Sequence, residues 1–257
     1  MQQLIEIDGK TLAVYRLGLP FNVNTTQIIL GHGWGQSHKI FLPFADFLKL
    51  VTSTLLIDFP GFGDSPHISD WWGTQEYSDF IAAWVKTLPP CKKRIWVGFS
   101  FGARIGIQLA ANYPDLFQGL FLVAAPGLPS RRSLFKQIII QSKIASYKIL
   151  KHIIPPRYHD WLKNKFGSSD YKNAGILRSV LVKVISEDLT DVAKKIKCPV
   201  HLIYGANETD VDLAVGKTYK KIIPNATLTV LPRYTHHDIL SNGKDRLMQL
   251  LNKFIEL

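Results

Sequence analysis

The pentapeptide Gly98-Phe-Ser-Phe-Gly102 places a serine between two glycines, directly after the apolar run of residues 94–97 and directly before a helical pattern that starts at Ala103. A serine in a sharp strand-to-helix turn points its hydroxyl away from the sheet, near the positive end of the following helix. Gly98 and Gly102 leave room for strand and helix to pass each other. The pentapeptide alone is common and is equally typical of a plain turn, but its flanking elements favour Ser100 as a nucleophile.

A serine that attacks a carbonyl needs backbone N–H groups aimed at the oxyanion that develops. One such group belongs to Phe101, the residue after the serine. The loop His32-Gly33-Trp34-Gly35 follows an earlier strand and supplies a second one, for which the backbone of Trp34 is the candidate. The alternative interpretation is a glycine turn with a core tryptophan.

A serine hydroxyl also needs a base, usually a histidine that an acid orients. Of the eight histidines, His236 and His237 lie between the last apolar strand pattern and the last helical pattern. The stretch 204–212 holds three acids that repel one another, so a fold that gathers them needs a reason. Glu208 and Asp210 are candidates to orient the histidine, whereas Asp212 is expected to be a charge at a helix N-terminus.

The composition describes a globular chain. It has 257 residues, of which 46% are hydrophobic, enough for one large α/β domain or two small ones. The apolar runs are shorter than the roughly 20 residues of a membrane span, and no secretory signal is recognisable, so we expect a cytoplasmic protein. Cys91 and Cys198 lack metal-type spacing and are expected to be reduced core thiols.

Short apolar runs alternate with helical patterns along most of the chain, which predicts a mostly parallel sheet with helices on both faces. Residues 3–18 are expected to form a hairpin that turns at Asp8-Gly9. Expected strands are 27–33, 54–61, 94–100, 119–125, 199–205 and 227–232, and expected helices are 37–50, 74–88, 101–114, 211–223 and 243–257. About seventy residues separate two of these strands, too many for one crossover. We therefore expect a helical insertion at 130–187 within a core of 1–129 and 188–257.

The order of these motifs resembles that of the α/β-hydrolase superfamily over essentially the whole chain. The motifs are the His-Gly loop, the segment 58–65 (DFPGFGDS), the Gly-x-Ser-x-Gly pentapeptide, a late acid and a histidine. The resemblance implies an α/β-hydrolase fold, with a mostly parallel twisted sheet flanked by helices and a helical cap inserted after the sixth strand. In this family Asp58 and Asp64 are structural.

The same resemblance implies roles for the acid and the histidine. Glu208 stands where the family usually has aspartate, with Asp210 as its rival, and His237 aligns with the family histidine, with His236 where a glycine is common. The implied reaction is hydrolysis of a carboxylic ester through Ser100, His237 and Glu208, without a cofactor or metal. Ser100 excludes the aspartate-dependent dehalogenases and epoxide hydrolases and the cysteine-dependent dienelactone hydrolases. A thioesterase, a proline iminopeptidase and a non-catalytic binding protein remain as alternatives.

The positive charge is concentrated in the expected insertion. The chain carries +11, and residues 130–190 hold twelve basic and four acidic residues, a net +8. A solvated helix surface is the simple explanation, and a landing patch for an acidic protein or an anionic membrane is the sharper one. The Gly-Trp loop and the basic insertion resemble the pimeloyl-acyl-carrier-protein methyl esterases. That likeness implies an acidic acyl carrier protein as partner, with Arg131, Arg132 and Lys136 as candidate contacts. No recognised nucleic-acid motif occurs.

Overall fold

The computed structural model describes residues 1–68, 71–129, 153, 155–158 and 169–256. Within these residues, eight strands form one sheet in the order β1-β2-β4-β3-β5-β6-β7-β8. In chain order the strands are β1 Gln2–Ile7, β2 Lys10–Gly18, β3 Thr26–Gly31, β4 Ser53–Asp58, β5 Lys93–Phe99, β6 Gly119–Val123, β7 Val200–Gly205 and β8 Ala226–Leu231.

The sheet is parallel from β4 through β3 to β8, and β1 and β2 join it antiparallel at one edge. The β1–β2 hairpin turns at Asp8 and Gly9, which both have positive φ, as the type I′ turn predicted by Asp-Gly requires. The residues of β4 and β6 are all buried, whereas β1 is largely exposed. A parallel strand that is covered on both faces is apolar at nearly every position. The apolar runs in the sequence therefore predicted these strands.

Helices cover both faces of the sheet. They are α1 Leu42–Leu48, α2 Thr74–Lys86, α3 Phe101–Asn112, α4 Ser169–Asn173, α5 Arg178–Ser186, α6 Thr190–Ala193, α7 Leu213–Ile222 and α8 Lys244–Glu256. Alternate residues of one strand enter different cores, as the two-residue period of a strand dictates. Trp96 packs in the core shared with α2 and α3, and Ile95 packs in the core shared with α1 and α8.

The expected helix over 37–50 is divided into two elements. A 3₁₀ helix spans His38–Phe41, and α1 begins only at Leu42, with Pro43 in its first turn. Proline has no N–H to donate to the carbonyl four residues earlier, so a continuous helix is interrupted there and a new one starts. The other expected strands and helices in the described part of the chain agree with the structure to within a few residues at each end.

The connection between β6 and β7 contains helices, as expected of an insertion after the sixth strand. Described there are the 3₁₀ turns Pro156–Tyr158 and Gly175–Leu177 and the helices α4, α5 and α6. Arg131, Arg132 and Lys136 lie outside the described residues, as does most of the first two thirds of the expected insertion. The boundaries 130–187 therefore stay a prediction.

Cys91 and Cys198 are free, as expected, but each is partly exposed rather than deep in a core. Among the described helices, none combines the length and the apolar character that a membrane span requires.

The last residues of α5 and the loop after it are tied to the start of α2. Gly73 precedes α2 and has no side chain with which to cap it. Glu187 supplies that acceptor instead, because its Oε1 accepts the Thr74 N–H at 2.9 Å and its Oε2 accepts the Thr74 hydroxyl. Lys183 of α5 adds an ion pair to Glu76 at 2.6 Å. A residue distant in sequence thus caps a core helix.

We expect Glu187→Ala to lower the free energy of unfolding by about 1 to 2 kcal/mol, the usual cost of losing an N-cap acceptor. Urea unfolding followed by circular dichroism measures this loss. The matched control is Asp46→Ala, which removes an exposed carboxylate paired to Lys49 and should leave the urea midpoint unchanged. Equal midpoints for wild type and Glu187→Ala would contradict the capping role.

Candidate active site

Ser100 occupies a strained turn between β5 and α3. Its φ of 49° and ψ of −104° lie outside the regions that a side chain normally permits. The turn is held from both sides, because the Ser100 N–H donates to Val123 O at 2.9 Å and the Ser100 carbonyl accepts the N–H of Ala103 at 3.0 Å. This strained turn between strand and helix, at the carboxyl edge of the sheet, is the backbone geometry expected of a nucleophile elbow.

The two glycines of the pentapeptide lie where neighbouring backbone atoms leave no room for a side chain. A Cβ on Gly98 would lie 2.5 Å from Gly102 O, and a Cβ on Gly102 would collide with Gly31 O. The prediction that these glycines let strand and helix pass is therefore confirmed. Gly102 also donates its N–H to His32 O at 2.9 Å, which joins the elbow to the loop after β3.

The loop after β3 holds a tight turn whose second residue is Trp34. The Gln36 N–H donates to Gly33 O at 3.3 Å, and Gly35 has φ of 69°, a value that favours glycine. The N–H of the second residue takes no part in such a turn. Neither this N–H of Trp34 nor that of Phe101 has a hydrogen-bond partner among the residues that the structure describes. The two side chains touch, with ring centroids 5.4 Å apart.

His32 fixes the near end of this loop. Its Nδ1–H donates to Gly33 O at 2.7 Å, and its Nε2 accepts the Phe59 N–H at 3.1 Å. Both bonds are satisfied by a neutral ring. Burial lowers the pKa of His32 to about 4, although the Gly33 carbonyl opposes this shift. His32 is therefore a neutral structural residue at physiological pH.

The acid loop after β7 brings Glu208 to His236. His236 Nδ1 donates to Glu208 Oε2 at 3.1 Å, and the two side chains are only 10% and 1% exposed. Glu208 Oε1 accepts the N–H groups of Asp210 at 3.0 Å and Val211 at 3.3 Å, so the carboxylate is held at both oxygens. The His236 ring lies 4.9 Å from that of Phe99, the residue before Ser100. The buried acid, its histidine and the elbow therefore share one edge of the sheet.

His237, for which the resemblance implies a catalytic role, lies on the outside of the loop. Its side chain is 80% exposed and faces Asp210, itself 47% exposed, with 3.5 Å between His237 Nε2 and Asp210 Oδ2. The geometry therefore favours His236 over the expected His237 for work with Ser100, and Glu208 over Asp210 as its partner. Neighbouring residues of an irregular loop point to different sides. The pattern Thr-His-His-Asp carries no signal for which histidine turns inward.

The remaining acids have structural partners. Asp212 is the N-cap of α7 and accepts the Ala214 N–H at 2.9 Å, as expected. Asp58 is fully buried and accepts from His38, and Asp64 accepts from Tyr15, which agrees with a structural role for both.

Glu208, Asp210 and His236 also bring ligand-type atoms within 4.8 Å of one another. Such a set resembles the donors of a small metal centre. However, Glu208 and His236 are already hydrogen-bonded to each other, and Glu208 Oε1 accepts hydrogen bonds from two backbone N–H groups. The hydrogen bonds account for the arrangement of these groups.

A cavity of about 260 Å³ lies behind the acid loop. Its lining includes Arg104, Pro126–Pro129, Glu187, Asp210 and Val215. Ser100 and His236 do not line it. The cavity is therefore beside the candidate site and does not contain it.

The low pKa of His32 predicts a pH-dependent stability. The unfolded histidine binds a proton below about pH 6.5, whereas the folded one does so only near pH 4, so protonation favours the unfolded state as the pH falls through this window. Between pH 7 and pH 4.5 we expect His32 to contribute about 2 to 3 kcal/mol of lost stability. Urea unfolding at both pH values, compared with His32→Gln, isolates this contribution. An equal pH-dependent loss in wild type and variant would contradict it.

Comparisons with known proteins agree with this architecture. Residues 26–142 match a family model described as the α/β-hydrolase fold. A pimeloyl-[acyl-carrier protein] methyl ester esterase from Chromobacterium violaceum is 27% identical over 238 residues, which cover 85% of this chain and 90% of that protein. A second esterase of that name, from Aliivibrio salmonicida, is 22% identical over 90% of this chain and 92% of its own.

Among solved structures, an esterase from Exiguobacterium antarcticum superposes with a TM-score of 0.76 at 17% identity, covering both chains fully. The elbow after β5, the glycine loop after β3, and the acid and histidine after β7 and β8 thus lie on a scaffold shared with these proteins. The chain therefore has the α/β-hydrolase fold.

Proposed function

We propose that this protein is a serine hydrolase that cleaves carboxylic esters, with Ser100 as nucleophile, His236 as general base and acid, and Glu208 as the acid that orients it. The observation that carries the proposal is the buried Glu208–His236 hydrogen bond at 3.1 Å, at the same edge of the sheet as the strained Ser100 turn. Backbone N–H groups of Trp34 and Phe101 bind the oxyanion in this proposal.

The reaction follows from the tautomer of His236. With Nδ1–H donated to Glu208, Nε2 carries the lone pair that takes the Ser100 proton as the oxygen attacks the ester carbonyl. The imidazolium formed next to Glu208 is stabilised by that carboxylate and then gives its proton to the departing alcohol. Water enters, gives a proton to His236 and attacks the acyl-enzyme, and Ser100 recovers its proton when the carboxylic acid leaves.

Glutamate in place of aspartate is compatible with this role. Its side chain is one methylene longer, and the acid loop restrains it by two N–H bonds to Oε1, which leaves Oε2 for His236. The buried carboxylate is therefore fully paired, which offsets the cost of removing its charge from water.

For the substrate we propose the methyl ester of an acyl chain linked to an acidic carrier protein. Two relatives carry this activity in their names, and the predicted insertion concentrates positive charge. The candidate contacts are Arg131, Arg132 and Lys136. Of the basic insertion residues that the structure describes, Lys183 is paired with Glu76 and serves the fold. The carrier surface would therefore depend on the other cations.

The first test is hydrolysis of p-nitrophenyl esters from acetate to decanoate, compared with acyl thioesters, proline anilides and carrier-linked and free methyl esters. We expect ester turnover that falls by at least about 10³-fold in Ser100→Ala, because that change removes the nucleophile. A carrier-linked methyl ester should be preferred at low salt, and the preference should shrink as salt screens the positive charge. Preferred cleavage of thioesters or anilides would replace the ester proposal, and activity independent of Ser100 would contradict the mechanism.

The second test separates the adjacent histidines and acids. His236→Ala should reduce kcat/KM by about 10³-fold or more, and Glu208→Gln by about 10²- to 10⁴-fold, because each removes part of the proton-transfer pair. The matched controls are His237→Ala and Asp210→Asn, which change the exposed pair and should retain activity within about threefold. A large loss in His237→Ala with a small one in His236→Ala would restore the original expectation from the family pattern.

A further inference from the structure

A polar cluster, buried at His38 and Asp58 and exposed at Asp64, lies at the end of β4, outside the proposed catalytic groups. It consists of Tyr15, His38, Asp58 and Asp64, and we refer to it as the Asp58 cluster. Asp58 accepts the backbone N–H of His38 at 2.6 Å, the His38 ring nitrogen Nδ1 at 3.0 Å and the backbone N–H of Asp64 at 2.9 Å. The Tyr15 ring stacks on the His38 ring with centroids 3.5 Å apart. His38 bonded to buried Asp58 resembles a catalytic pair. However, His38 lies at the far end of the loop after β3, whereas the turn at Ser100 contacts the near end of that loop through Gly102 and His32.

Two members of this cluster, Asp58 and Tyr15, keep one charge state near neutral pH. Burial alone would raise the pKa of Asp58, but the hydrogen bonds from Asp64 and His38 outweigh it and the pKa is lowered. Burial, followed by the hydrogen bond to Asp64, raises the pKa of Tyr15 well above its usual value. Asp58 therefore remains a carboxylate that accepts hydrogen bonds, and Tyr15 a hydroxyl that can donate one.

The cluster holds one end of the loop that carries Trp34. The loop is attached at its start by His32, whose Nε2 accepts the Phe59 N–H, and at its end by His38, which binds Asp58. The two attachment points, Phe59 for His32 and Asp58 for His38, are consecutive residues at the end of β4. Between them lies only the turn of residues 33–36 and Ser37, so the direction of the Trp34 N–H depends on both.

We infer that His38 is a positioning residue for the oxyanion site, acting through the loop to aim the Trp34 N–H. This inference rests on the proposed function. An oxyanion donor must lie about 2.7 to 3.1 Å from the charged oxygen of the transition state, and a displacement of about 1 Å elsewhere in a site can reduce the rate about 100-fold. The His38 side chain lies four residues from Trp34 and belongs to neither the nucleophile nor its base.

The experiment compares His38→Leu, which removes the ring donor at similar bulk, with His38→Asn, whose amide can replace the Nδ1–H. We expect kcat for a p-nitrophenyl ester to fall by at least about 10-fold in His38→Leu with KM within about twofold, and His38→Asn to recover most of it. The fall should stay below the roughly 100- to 1000-fold cost of losing an oxyanion donor entirely. Tyr15→Phe keeps the stacked ring and removes only the hydroxyl, which contacts Asp58 and Asp64, so it provides a milder variant if His38→Leu does not fold.

The matched control is His201→Leu. His201 is a partly buried histidine on β7 that bonds Thr229 and packs against Phe121 and Phe254, on the core face of the sheet that α8 covers. This variant should lose thermal stability as the His38 variants do but keep kcat. Equal kcat in His38→Leu and wild type, or an equal loss in His201→Leu, would overturn the inference, because the effect would then be absent or merely one of stability.

Labelling of Ser100 by a fluorophosphonate gives a second readout, since phosphonylation also develops negative charge on an oxygen that the same N–H groups bind. We expect the labelling rate to follow kcat across the His38 variants. Wild type that labels at Ser100 yet turns over no ester would overturn the proposed substrate class, while a His38-dependent labelling rate would still support the inference. A wild-type Ser100 that does not react with the label would overturn both.

Discussion

The close approach of the first turn of α3 to the end of β3 is the constraint on which the rest of the site depends. Gly102 donates to His32 O and has no space for a Cβ beside Gly31 O, so the elbow and the glycine loop form one backbone unit. The strained φ of Ser100 is tolerated because Val123 O and the first turn of α3 hold the residue from both sides. Burial of the surrounding strands supplies the free energy that keeps this strain in place.

The parallel sheet gathers the other groups. Every strand from β3 to β8 ends at the same edge, so the residues that follow them meet there although they are far apart in sequence. The sheet order puts β3 beside β5 and β7 beside β8. The glycine loop after β3 is therefore adjacent to the serine, and the acid is adjacent to the histidine. The position of these groups is therefore set by the carboxyl edge of the parallel sheet and not by any one helix.

Much of this was predictable because the physical signals are local. Ser100 stands between two glycines at a strand–helix junction, and buried parallel strands are continuously apolar. The division of the expected helix 37–50 at Pro43 was missed, although proline cannot continue the hydrogen-bond ladder and so marks the boundary locally.

The inward histidine was not predictable. His236 and His237 have the same chemistry and adjacent positions, and only the three-dimensional path of the loop buries one beside Glu208 and exposes the other. The pairing of His38 with Asp58, twenty residues apart, likewise has no local pattern behind it. Contacts of this kind depend on which loops meet, a property of the whole fold.

Glu187 has a consequence for any attempt to exchange the segment between β6 and β7 for that of a related protein. The boundary expected from sequence falls directly after Glu187, so a graft cut at that boundary would discard the carboxylate that completes the first turn of α2. The recipient would fold around a frayed helix even if the new segment packed well. A transferable segment has to end before Lys183, so that the ion pair to Glu76 and the cap on Thr74 stay with the core they serve.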